Sequence, residues 1–190
     1  MHASTALPLT FTEASLGGER HKVDTEDRRM QARAYAEWTA MLRGRACPSL
    51  EDLEATGLAG PCQLLLDLRQ DAYDPEFVVI GGALLAECGL RQVSRLSNAP
   101  AGSFLSLLAA HYRQVAMSRY PLAFEGDNTS LRGHESSYRG MLLPLASDGV
   151  TVDFVYGIIS WREGADAGLA SGIEAELRPV LELTDLPLAG

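Results

Sequence analysis

Apolar and polar positions along this chain change period several times, and each change marks an element. From Thr25 the apolar residues Met30, Ala34, Trp38 and Met41 recur at helical spacing, with Tyr35 and Leu42 widening the stripe. Asp24, Thr25 and Asp27 offer caps, so the pattern predicts an amphipathic helix ending near Gly44. Pro48-Ser49 opens a short second helix in which Ser49 caps and Asp52 takes the capping-box position; Gly57 and Gly60-Pro61 end it.

Period two then takes over. Cys62 to Arg69 reads as a strand, Asp71 to Pro75 as turn chemistry, and Glu76 to Ile80 as a second, β-branched strand, together a hairpin. Gly81-Gly82 breaks that strand, Ala83 to Cys88 makes about two helical turns, and Arg91 to Gly102 has loop character. From Ser103 a longer helix carries Phe104, Leu107, Leu108, His111, Tyr112 and Val115 on one face, and Pro121 ends it. Three strands follow: Leu122 to Gly126, about His134 to Ala146, and Val150 to Trp161, with Asp148-Gly149 predicting a tight hairpin. In the last of these Val150, Val152, Phe154, Tyr156 and Ile158 share one face, while Val155, Gly157, Ile159 and Trp161 share the other. Both faces are partly apolar, so one faces the domain core and the other needs a cover, for which the Met30/Trp38 helix of the same or a partner chain is the candidate.

Residues 1–24 show no sustained period and are expected to form a flexible arm outside the core. Residues 25–162 make one α+β domain, a five-stranded antiparallel sheet with helices on one face and the amphipathic N-terminal helix before it. Residues 163–190 form an acidic C-terminal tail, with a candidate helix over Ile173 to Leu181 interrupted by Pro179.

Charge narrows the partners. Among 190 residues, 16 Lys and Arg stand against 25 Asp and Glu, a net charge of −9. That excludes the basic stripe a nucleic-acid or anionic-membrane partner requires. The chain start lacks a basic leader region, its first Lys or Arg being Arg20, and no apolar run reaches the ~18 residues of a spanning helix. A cytoplasmic protein is therefore expected. Cys47, Cys62 and Cys88 are odd in number and too widely spaced for CxxC chemistry, so reduced thiols without disulfides or zinc are expected.

The element order, together with Ala36-Glu37-Trp38, Arg43-Gly44-Arg45, Pro48-Ser49, Phe77-Val78-Val79-Ile80-Gly81, Met141-Leu142-Leu143-Pro144-Leu145 and Tyr156-Gly157-Ile158-Ile159, resembles a bacterial single-domain subfamily of PAS domains. The likeness spans about residues 28–162. It implies a sensory or protein-interaction module: a cupped sheet with helices over one face, sometimes holding a small molecule, often dimerising through the N-terminal helix, and without catalysis. No output element follows Arg162 in the sequence, which points to a stand-alone module acting by contact in signal transduction.

Several candidate chemistries compete with this reading. His111 lies on the apolar face of the long helix, where haem-binding PAS domains place their axial ligand, and neutral imidazole suits iron. Cys88-Gly89-Leu90-Arg91 does not supply the Asn-Cys-Arg type motif of covalent flavin photochemistry. Arg91-x-x-x-Arg95 with Asn128-x-Ser130-x-x-Gly133 matches the two halves of the PilZ cyclic-di-GMP signature, although a helical stretch separates them where PilZ domains are all-β. Asp127, His134, Ser136 and Ser137 supply the letters of a hydrolase triad without a Gly-x-Ser-x-Gly elbow. The acidic clusters Asp24-Glu26-Asp27 and Glu51-Asp52-Glu54 lack calcium-loop spacing and read as caps and solvated faces.

The resulting expectation is a PAS-type module, not an enzyme, that forms homodimers and contacts a signalling partner. Tyr35, Trp38, Met41, Leu42 and Trp161 are its expected interface. An inner pocket is expected from Phe77, Val79, Leu85, Phe104, Leu108, His111 and Phe154. The alternative is a small-molecule receptor, for haem through His111 or for a cyclic dinucleotide through Arg91 and Arg95.

Overall fold

A computed structural model describes residues 11–13, 25–55, 60–129, 131 and 133–163. In chain order the elements are β1 (Phe11–Glu13), α1 (Thr25–Met41), α2 (Leu50–Glu54), β2 (Gln63–Asp67), β3 (Glu76–Ile80), α3 (Gly82–Glu87), α4 (Phe104–Ser118), β4 (Leu122–Thr129), β5 (Glu135–Leu145) and β6 (Phe154–Glu163). The sheet order is β1-β4-β5-β6-β2-β3. Strands β2 to β6 form the expected five-stranded antiparallel sheet of an α+β fold. Strand β1, inside the expected arm, adds a short parallel edge to β4 through Phe11↔Ala123 to Glu13↔Glu125. The candidate helix over Ile173 to Leu181 lies outside the described residues.

Alternation along the strands builds two cores. Leu64, Leu66, Leu122, Phe124, Leu142, Val155 and Ile159 face α3 and α4, meeting Leu84, Phe104, Leu105, Leu108, Tyr112 and Val115. Leu65, Met141, Leu143, Leu145, Phe154, Tyr156 and Ile158 face the other way and meet Ala34, Trp38 and Met41 of α1 and Leu53 of α2. The two apolar faces of β6 are thus both covered: α4 lies over Val155, Ile159 and Trp161, and α1 of the same chain covers the opposite face, with Phe154, Tyr156 and Ile158.

Two side chains fix α1 there. Trp38 is 2% exposed and donates Nε1–H to the Pro144 carbonyl at 2.8 Å. Proline in a central strand removes a ladder donor, but β4 pairs only as far as Leu142. Pro144 therefore sits past the end of that neighbour, where its carbonyl is open to the indole. Nearer the start of α1, buried Gln31 donates Nε2–H to Ser160 Oγ at 3.0 Å.

The Arg43-Gly44-Arg45 and Pro48-Ser49 run is a structural turn. Arg43 (φ 45°) and Gly44 (φ 84°) adopt left-handed backbone that ends α1. Arg45 Nη2 caps the Met41 carbonyl at 3.1 Å and pairs with Asp52. The expected capping box is present: Asp52 N–H donates to Ser49 Oγ at 3.3 Å, and Ser49 N–H to Asp52 Oδ2 at 3.0 Å. The Ser49 N–H, then the Arg45 guanidinium, hold the Asp52 carboxyl well below the usual range.

Three sequence expectations shift. The tight Asp148-Gly149 hairpin is instead a loop over residues 146–153, because the Asp148 carboxylate accepts from the Val150 and Thr151 N–H groups at 2.8 and 2.7 Å and the Asp153 carboxylate accepts from Ser147 N–H at 3.2 Å. β6 therefore begins at Phe154, leaving Val150 59% exposed. On α4 the buried stripe takes in Leu105 at 0% exposure, while Leu107 and His111 sit at its half-buried margin. That helix ends on Arg119 in the left-handed region (φ 63°), two residues before Pro121.

Candidate functional site

The largest concentration of rings lies between α4 and the sheet, and a repeated sequence feature creates it. Phe124-Glu125-Gly126 on β4 and Tyr138-Arg139-Gly140 on β5 each place an aromatic residue two before a glycine. The antiparallel register pairs Phe124 with Gly140 and Gly126 with Tyr138, so each ring lies over the other strand's glycine. A Cβ at Gly140 would meet Phe124 Cζ at 2.0 Å, and one at Gly126 would meet the Tyr138 hydroxyl at 2.9 Å. Only the missing side chains let the rings lie down on the sheet.

Helix α4 closes over this platform. Ser103 caps it, accepting from Ser106 N–H, and Glu87 of α3 accepts from Phe104 N–H at 3.3 Å, which sets a carboxylate at the helix's positive end. From α4, His111 stacks on Phe124 with ring centroids 4.5 Å apart and planes at 24°. Phe104 packs on Trp161 of β6 at 4.8 Å and on Tyr138 at 5.8 Å. Burial holds the His111 imidazole below its ordinary pKa, hence neutral at pH 7. Burial, and secondarily the Asp127 charge, raises the Tyr138 phenol. The arrangement supplies a half-buried aromatic platform with a neutral imidazole at its edge.

The expected pocket residues divide between the two sides of the sheet. Phe77, Leu85, Phe104 and Leu108 belong to the α4 side. Phe154 belongs to the α1 side, where Arg69 lies over its ring at 4.5 Å. Val79 pairs with Leu65, sharing the α1-facing side of the sheet, at the β3 edge, and is 39% exposed. The physical reason is strand parity, together with the bulge between Leu65 and Leu66 that resets the β3 register. Sequence reading missed Phe124 and Tyr138; the aromatic-x-Gly pair, placed on neighbouring strands, is the signal that identifies them.

The expected interface residues also separate. Trp38 and Met41 are buried within the chain, Tyr35 stacks on Trp38 at 6.3 Å, and Leu42 is half-buried beside them. Trp161 lies across the sheet on the α4 side, because odd-numbered β6 residues point there. The five therefore do not make one surface.

Neither small-molecule alternative finds its residues assembled. His111 presents its ring face to Phe124, so ligation of haem iron would require that stack to open. Arg95 is committed to Glu76 at 2.5 Å and to the Asp74 carbonyl at 3.1 Å. Arg91 is exposed, Asn128 donates to the Gly102 carbonyl at 2.8 Å, Gly133 is a left-handed turn residue, and Ser130 lies outside the described residues. Nor is a triad formed: Ser137 donates to Asp127 at 2.7 Å while His134 faces Glu163 at 3.5 Å. Ser136, buried, leaves its hydroxyl without a partner among the described residues.

Acids with raised pKa values make the fold sensitive to alkali. Burial pushes the Cys88 thiol from 9.0 up to about 11, and burial, then the Glu37 charge, raises the Tyr156 phenol. The folded chain keeps protons that the unfolded chain releases, so this stability is complete below about pH 9 and is lost as pH climbs through the folded values. Denaturant midpoints should accordingly fall between about pH 8 and about pH 10.5, and Cys88→Ala should flatten part of that fall. An unchanged midpoint across the interval contradicts the assignment.

No protein-family model and no curated protein matches this sequence. Among solved structures, a light-oxygen-voltage (LOV) protein of Rhodobacter sphaeroides matches with a TM-score of 0.41 and 16% identity over 70% of this chain and 78% of its own. A single-residue variant of RsLOV matches with a TM-score of 0.39 and 15% identity, covering 64% and 75%. A structure titled for a flavin analogue and the light-oxygen-voltage domain mechanism gives 0.38 and 11%, covering 68% and 94%. Among the described residues no helix is long and apolar enough to cross a membrane.

Proposed function

We propose that this chain is a PAS-type sensory and protein-interaction module of bacterial signal transduction, working in the cytoplasm by dimerisation and partner contact and without catalysis. The observation that carries the reading is the cover of the second sheet face: one helix, α1, closes an apolar surface that includes Leu143, Leu145, Phe154, Tyr156 and Ile158. Such a surface is either closed by its own helix or shared with a second chain, which gives the module two states of contact. Tyr35 and Leu42, half-buried at the flank of α1, are the residues through which two copies would meet. Light scattering on the purified chain should give a dimer mass, and Tyr35→Glu with Leu42→Glu should return the monomer with its circular dichroism unchanged. A wild-type monomer at micromolar concentration rejects dimerisation. The absorption spectrum of the same sample tests the receptor alternative, for which the His111–Phe124 stack would have to open: a Soret band would replace the contact reading with haem binding.

A further inference from the structure

The exposed flank of α4 carries an arginine that is held in place but not neutralised. Tyr112, 1% exposed, sets its hydroxyl 2.8 Å from the Tyr73 carbonyl and 3.1 Å from that of Ala72, tying α4 to the loop between β2 and β3. Against this knot Arg113 donates Nε–H to the Tyr112 hydroxyl at 3.0 Å and Nη2–H to the Tyr73 carbonyl at 3.1 Å. Its guanidinium lies 5.4 Å from the Tyr73 ring centroid and 5.7 Å from that of Tyr112.

Both bonds use the Nε–Nη2 edge. The Nη1–Nη2 edge remains, and that is a fork able to take a carboxylate through two parallel hydrogen bonds. Arg45, Arg69, Arg95 and Arg139 each pair with a carboxylate of this chain, whereas Arg113 has none within ion-pair distance among the described residues. On either side of it Tyr73 is 80% and Met117 85% exposed, the latter one helical turn further along α4. Tyrosine, arginine and methionine together are the composition of an interface centre rather than of ordinary surface. The cost of ordering Arg113 is already met in the free protein.

We propose that Tyr73, Arg113 and Met117 form the docking surface for an acidic segment of a partner protein. One carboxylate of the segment forks onto Arg113, and apolar side chains beside it lie on Tyr73 and Met117. Charge selects this occupant: Arg113, with no carboxylate of the described residues in ion-pair range, suits one or two carboxylates, while the chain's net charge of −9 repels an extended polyanion. The inference deepens the reading of the chain as a contact module and rests on it.

The test uses the full chain and a short fluorescein-labelled peptide alternating glutamate with leucine, with a glutamine-for-glutamate counterpart, read by fluorescence anisotropy. The glutamate peptide should bind at least about tenfold more tightly than the glutamine peptide, and added salt should weaken it. Arg113→Gln should remove that difference, Arg113→Lys should restore only part of it because an ammonium cannot fork, and Met117→Ser should weaken both peptides. Failure of the glutamate peptide to bind, equal binding of both peptides, or unchanged binding by Arg113→Gln in a chain with unaltered circular dichroism overturns the proposal. Light scattering on the same samples separates the two readings. A monomer that binds the glutamate peptide through Arg113 rejects dimerisation and supports this surface, whereas a dimer that ignores it does the reverse.

Discussion

Replacing Trp38 by alanine is expected to lower the unfolding free energy by about 3–5 kcal/mol, the range for removing a large buried aromatic. Its indole is 2% exposed and bridges the α1 stripe to the sheet's second face. Loss of the ring opens a cavity in the core cluster that α1 shares with the sheet and also strips the Pro144 carbonyl of its donor. Trp38→Phe separates these causes, since it keeps most of the apolar volume and removes the hydrogen bond, and it should cost about 1–3 kcal/mol. Urea unfolding followed by circular dichroism reads both. If Trp38→Ala unfolds at the wild-type midpoint with an unchanged slope, α1 is not packed on this sheet.

The second large effect is expected at Gly140. A valine there would drive its Cβ into the Phe124 ring, 2.0 Å away, and two neighbouring chains would compete for one space. Overpacking of this kind costs about 1–3 kcal/mol and occasionally more, and the upper end applies because Phe124 is itself clamped from above by His111. Displacement of Phe124 should also bring the His111 imidazole into water and return its titration towards the ordinary histidine range. Nuclear magnetic resonance titration of His111 measures that shift independently of stability. The Phe124→Ala change should cost much less in the Gly140→Val background than in the wild type, because the two residues share one site. Strict additivity of the pair would show that the ring does not lie over the glycine.

These two positions mark different limits of sequence reading. The α1 stripe was legible because Met30, Ala34, Trp38 and Met41 follow the helical period, a local property of consecutive residues. The capping box at Ser49 and Asp52 was legible for the same reason. The two faces of β6 from Phe154 to Trp161 also follow directly from alternation. What alternation alone does not say is which face of β3 matches which face of β6. The bulge opposite Leu65 and Leu66 shifts the β3 count by one and sends Val79 to the side opposite Phe77, while Phe154 lies away from Phe104 because α4 covers the other face of β6.

By itself, then, the sequence determined the order of helices and strands, the α+β class and the apolar stripe of α1, because each rests on periodicity or on chemistry between residues a few positions apart. Tertiary structure alone decided that α1 lies on its own chain's sheet, that Phe124 and Tyr138 rest on each other's glycines, and that Arg113 is braced by Tyr73. Those outcomes depend on strand register and on contacts between residues as far apart as Trp38 and Pro144, 106 positions in the chain. A one-residue slip in pairing would have sent every one of the strand side chains involved to the opposite face.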